Sequence, residues 1–212
     1  MKNNNRKRSS LTLGMVQTAL FAALIIILAF TPFLGYIPLG FTRATIIHIP
    51  VIIGSLMLGP KNGAFLGFVF GMTSLINNTV NPTATSFVFT PFFEIGEIHG
   101  GIGSVIICFL PRILTGIIPF YVYQGLNRMT GKQTFSLAAA GLSGALTNTL
   151  LVMNMIFLFF REAYASANHV AEEAVYTFIL SIIGINGIPE AIVAAILVSL
   201  ICRVLLKYRQ TN

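Results

Sequence analysis

Apolar runs near 20 residues in length recur along this chain, and they restrict its possible folds more than any other feature. Residues 11–30 form the first, without a single charged side chain. A helix of about 20 such residues matches the hydrocarbon thickness of a bilayer. The runs do not alternate between polar and apolar residues, as strands of a membrane barrel would, so they read as helices. In lipid, a helix also satisfies its own backbone hydrogen bonds. Only 9% of residues are charged and the mean hydropathy is +0.84, against about 25% charged in a soluble domain. Too few charges exist to cover a water-facing surface.

The pattern predicts spans at 11–30, 43–58 (short), 63–78, 102–126 and 134–160, with a sixth inside 175–206. Gly184, Gly187 and Pro189 are expected to break the last region. The part before the break would lie as a surface helix, with a partial seventh span as the alternative. The fold class is thus an all-α integral membrane protein. It is a bundle of about six transmembrane helices forming a single transmembrane domain over 1–212.

Orientation follows from the basic residues. Ten of the 13 fall in segments 1–10, 59–63, 127–133 and the tail 203–212: Lys2, Arg6, Lys7, Arg8, Lys61, Arg128, Lys132, Arg203, Lys207 and Arg209. These segments share one side if the N-terminus is cytoplasmic, which also places the C-terminus there. The opposite side holds Arg43 and Arg161, and five of the six acids: Glu94, Glu97, Glu162, Glu172 and Glu173. The net charge of +7 is accounted for by this asymmetry and gives no reason to expect nucleic acid. No small-residue cleavage site follows the first apolar run, so it reads as a retained helix of a multi-pass plasma-membrane protein.

Ionisable or amide groups at membrane depth usually have a partner or a ligand. Arg112 sits inside span 4, directly after Pro111, and its fork suits a carboxylate. Its competitor partner is Glu190, in the last span. Asn77, Asn78, Asn148 and Asn186 offer donors and acceptors suited to amides and hydroxyls, and His48 stands where it could line a cavity. These seven residues form the candidate substrate site. Asn81 and Asn154 belong to the same amide set. Gly63, Gly67 and Gly71 line one face of span 3 for close helix packing, and Ala19 and Ala23 form a small-residue face on span 1. Ala191 and Ala195 do so on span 6.

Cys108 and Cys202 lie in different apolar spans, and His48, His99 and His169 have no partner at ligand spacing, so neither a disulfide nor a metal is expected. No cofactor is implied. A Walker A motif is missing, as are HExxH and GxSxG. Glu172-Glu173 is similar to an intramembrane-protease pair but lacks the following Arg. An enzyme is not expected.

Several stretches resemble the substrate-binding S components of energy-coupling factor vitamin transporters. They are His48-Ile49-Pro50-Val51-Ile52-Ile53-Gly54, Leu58-Gly59-Pro60-Lys61-Asn62-Gly63-Ala64-Phe65-Leu66-Gly67 and Pro111-Arg112-Ile113-Leu114-Thr115-Gly116. The segment 68–91 is most similar to the pantothenate-specific members. The resemblance implies a vitamin bound tightly at the outer side, and association with a transmembrane coupling subunit and two cytoplasmic ATPases. It also implies a toppling motion in the lipid bilayer. It maps the coupling-subunit interface onto Ala19 and Ala23. Pantothenate is the expected ligand. Folate or hydroxymethylpyrimidine is the alternative within the family, and a stand-alone solute carrier the alternative outside it.

Overall fold

The computed structural model describes residues 2–31, 35–39, 42–96 and 98–211; Glu97, placed outside by the charge count, lies beyond them. Helix α1 spans Lys2–Phe30. A short antiparallel hairpin follows, β1 (Tyr36–Leu39) and β2 (Thr42–Thr45), pairing Tyr36 with Thr45 and Leu39 with Thr42. Helices α2 (His48–Leu58) and α3 (Pro60–Val80) meet at Gly59. Gly59 takes φ +94, a conformation that favours glycine, and Pro60 then starts α3 where a helix has no use for the missing N–H. The connection to α4 holds a 3-10 turn at Ser86–Val88 and a two-residue hairpin of β3 (Glu94–Ile95) and β4 (Ile98–His99). Helices α4 (Ile102–Thr130) and α5 (Gln133–Ala167) are joined around Gly131, which adopts the left-handed C-cap conformation. A 3-10 turn at Glu172–Ala174 leads to α6 (Val175–Ile182), a π turn (Ile183–Gly187) and α7 (Ile188–Thr211).

Among the described residues, five helical stretches are long and apolar enough to cross a bilayer: Thr12–Phe30, Pro60–Val80, Ile102–Thr130, Gln133–Ala167 and Glu172–Tyr208. The sixth apolar helix, α2, differs from the expected span at 43–58. Residues 42–45 pair as strand β2, and only 11 residues remain helical, about 16 Å of rise. Nine of those 11 are buried, and α2 packs against α1, α3, α4, α5 and α7. A helix apolar on all sides is stable at half length because protein rather than lipid surrounds it.

The expected break at 184–189 is also corrected. The backbone stays helical on both sides, with φ/ψ of −64/−44 at Ile182 and −68/−51 at Ile188. A π turn widens the helix where Pro189 would crowd the preceding turn, so α6 and α7 continue one another rather than forming a separate surface helix. Helix α5 holds the converse surprise: Phe160 leaves helical geometry (φ −136, ψ 27) and kinks the helix seven residues before its end.

The glycine face of α3 meets α4. A Cβ on Gly63 would strike the carbonyl of Gly116, and one on Gly67 the carbonyl of Arg112. A Cβ on Gly141 of α5 would lie 2.6 Å from the Ala194 carbonyl of α7. These backbone approaches bring α3, α4, α5 and α7 close enough to share a cavity at one end of the bundle.

Candidate functional site

The cavity measures about 320 Å³. Its walls come from several elements: Thr45 of β2, Ser74 and Asn78 of α3, Thr83, Ala84, Thr85, Val88 and Phe89 of the following loop, and Arg112 of α4. Helix α5 adds Asn148, Thr149, Val152, Met153, Ile156, Tyr164 and Ala167, the residue after its end adds Asn168, and the π turn and α7 add Asn186 and Glu190.

Arg112 is 5% exposed. Its Nη1 donates to the Ile107 carbonyl at 2.6 Å, and its guanidinium carbon lies 5.0 Å from the Phe89 ring centre and 5.6 Å from that of Phe70. Glu190 turns toward the hairpin, where its Oε1 accepts the Thr45 N–H at 2.8 Å. No ion pair joins Arg112 to Glu190 within the described residues; the Arg161–Glu172 pair lies at the surface.

The amides divide by what they already bond. Asn78 is bonded at both amide atoms: its Nδ2 donates to the Ser74 carbonyl at 2.8 Å and its Oδ1 accepts the Ser86 hydroxyl at 2.9 Å. It stitches the loop wall to α3. Asn148 is 6% exposed, and its Oδ1 is buried without a hydrogen-bond partner among the described residues. A buried acceptor of that kind is costly unless a donor meets it.

Of the seven expected site residues, Arg112, Asn78, Asn148, Asn186 and Glu190 share the cavity. Asn77 is off its lining, and its Oδ1 accepts from Asn81 at 3.2 Å. His48 is buried at the start of α2, also off the lining. Asn154 sits on an exposed face of α5 and donates to the Leu150 carbonyl. The loop residues 83–89 and the pair Tyr164 and Asn168 were not expected. Helical spacing in the apolar runs carries no sign of them, although the Thr83-to-Ser86 spacing suits the turn it forms: Ser86 Oγ accepts the Thr83 N–H at 2.8 Å.

A second concavity opens between α1 and α3. Ala19 and Ala23 line it, both exposed, with Thr18, Ile26, Asn62 and Phe65. Small side chains there leave room for another helix.

A helical membrane bundle whose small cavity sets a guanidinium, a carboxyl and several amides among apolar side chains defines a membrane-embedded receptor for a small solute. The chain belongs to the energy-coupling factor transporters, as their substrate-binding subunit: residues 14–202 match the family described as ECF transporter, substrate-specific component. It is similar to Pantothenic acid transporter PanT of Lactococcus lactis subsp. cremoris (strain MG1363), with 35% identity over 208 residues, covering 97% of this chain and all of the relative. Pantothenate transporter PanT of Leuconostoc mesenteroides subsp. mesenteroides is 30% identical over 216 residues, covering 97% of this chain and 95% of the relative. The chain is therefore a multi-pass plasma-membrane transport subunit that binds a vitamin, not an enzyme. It acts together with a transmembrane coupling subunit and ATPase subunits.

Proposed function

We propose that this subunit binds pantothenate in the 320 Å³ cavity and that the bilayer orientation set by the basic residues opens that cavity to the outside. The observation that carries the reading is the joint presence, on one cavity wall set, of the Arg112 guanidinium and the partnerless Asn148 acceptor. Pantothenate has a carboxylate at one end, a central amide and two hydroxyls at the other. Arg112 takes the carboxylate, Asn148 accepts the amide or a hydroxyl proton, and Asn186 and Glu190 face the hydroxyl end. Asn78 serves by holding the wall. Asn77 and His48 stay outside the proposal because they do not line the cavity. The volume lies at the small end of ligand pockets, about 300–1,000 Å³, which favours a compact acid over folate with its pteridine, benzoyl and glutamate groups. Ala19 and Ala23 form the face for the coupling subunit.

The test is calorimetric titration of the purified protein in nanodiscs, beside native mass spectrometry of the protein as isolated. Saturable one-to-one binding of pantothenate is expected. Arg112→Ala should weaken it by about 2–5 kcal/mol, as truncation of one partner of a buried charge pair does, and Asn148→Leu should weaken it as well. Absence of pantothenate binding, with a different vitamin co-purifying, would refute the assignment.

A further inference from the structure

We infer that Pro111 and Phe89 are positioning residues that set the Arg112 guanidinium in the orientation the ligand's carboxylate requires. The inference rests on the reading of Arg112 as the carboxylate's partner.

The local geometry begins with the dipeptide Pro111-Arg112. In α4 the N–H of residue 111 would donate to the carbonyl of Ile107. Proline has no N–H, so that carbonyl loses its helical partner in the middle of a membrane helix. Arg112 Nη1 takes the vacated carbonyl at 2.6 Å. The proline thus creates the acceptor that anchors the neighbouring guanidinium.

Two aromatic rings complete the hold. Phe70, fully buried on α3, and Phe89, on the cavity wall, approach the guanidinium carbon at 5.6 and 5.0 Å. Both distances lie within cation–π range. Phe89 is itself fixed in place, because its loop is tied down at three points. Ser86 donates to Asn78 at 2.9 Å, Thr79 and Thr90 share a hydrogen bond of 2.7 Å, and Ser104 donates to the Phe87 carbonyl at 2.6 Å. A long side chain fixed before the ligand arrives loses less conformational freedom on binding. The loop wall and the anion-reading group are therefore one unit, although 23 positions separate Phe89 from Arg112.

The test compares pantothenate with pantothenyl alcohol, which carries a neutral hydroxymethyl group in place of the carboxylate, by calorimetric titration of wild type, Phe89→Leu, Phe89→Tyr and Pro111→Ala in nanodiscs. Phe89→Leu keeps an apolar side chain but removes the ring face, and should lower the acid-to-alcohol preference roughly 2- to 30-fold. Phe89→Tyr should restore acid binding. Pro111→Ala returns an N–H to the Ile107 carbonyl and should also lower the acid-to-alcohol preference. Thermal unfolding of each variant identifies any that fails to fold, and the Phe89 pair carries the test alone if Pro111→Ala does. If Phe89→Leu weakens acid and alcohol equally, or neither, Phe89 is only cavity wall and the inference is overturned. If wild type itself does not prefer the acid, the carboxylate reading of Arg112 falls first, and the inference with it.

Discussion

Gly116→Ala should be among the most damaging single-methyl additions to this bundle. A Cβ at Gly116 would meet the carbonyl of Gly63 head on and would also lie 3.1 Å from the Ala64 nitrogen. Every obstacle is backbone, so no side chain can swing aside. Restoring van der Waals separation would push α3 and α4 apart by more than about 1 Å. Overpacking a close contact costs about 1–3 kcal/mol, and the rigidity of these neighbours places Gly116 at the upper end. For a chain of this size about 3 kcal/mol lowers the unfolding temperature by roughly 6–12 °C. The same helix supplies its own control. A Cβ on Gly125 would meet nothing within 4 Å, and replacing a helix-interior glycine by alanine there should stabilise by about 0.5–1 kcal/mol. Thermal unfolding of both variants in one detergent or nanodisc preparation decides the matter. Melting of Gly116→Ala within about 2 °C of Gly125→Ala would refute the close-crossing argument. The crossing also bears on the site, because a Cβ on Gly67 would collide with the Arg112 carbonyl.

Two further outcomes follow from the surfaces. Ala23→Trp should abolish co-purification of the coupling subunit while leaving pantothenate titration intact, since Ala23 is exposed on the α1–α3 groove and is not part of the cavity lining; unchanged pull-down would remove Ala23 from the interface. Single cysteines at Asn62 and Thr130 should react with an impermeant maleimide only from the cytoplasmic side, and those at Gly96 and Ser166 only from outside, and labelling of Thr130 from outside would overturn the orientation drawn from the basic residues.

The spans that lipid dictates were legible in the sequence, because a run of apolar residues near 20 long has few alternatives. What protein neighbours dictate was not. Helix α2 is short because five other helices enclose it, and the chain up to Thr45 is free to form a hairpin instead. Nothing local announces that enclosure. The glycine and proline signals at 184–189 were real, but the structure absorbs them in a π turn rather than a break. The kink at Phe160 has neither Pro nor Gly to mark it, and it precedes Tyr164, Ala167 and Asn168 on the cavity wall, which is why those residues escaped notice.

Within the site, the rule that polar groups in a membrane need partners identified the right kind of residue but not each residue's task. Asn77 and Asn78 are sequence neighbours, yet successive helical residues point about 100° apart, and only Asn78 reaches the cavity. Having reached it, Asn78 spends both amide atoms on Ser74 and Ser86. Asn148 lies in the same cavity with an acceptor that no donor among the described residues meets. The two residues are chemically identical and both buried, so composition and spacing could not separate them. What separates them is a hydroxyl eight residues along the chain from Asn78, delivered by a loop whose path depends on Ser104 and Thr90. A polar group whose partner is supplied by the fold maintains the shape of the cavity. One whose partner the fold withholds is left to be satisfied by what enters it.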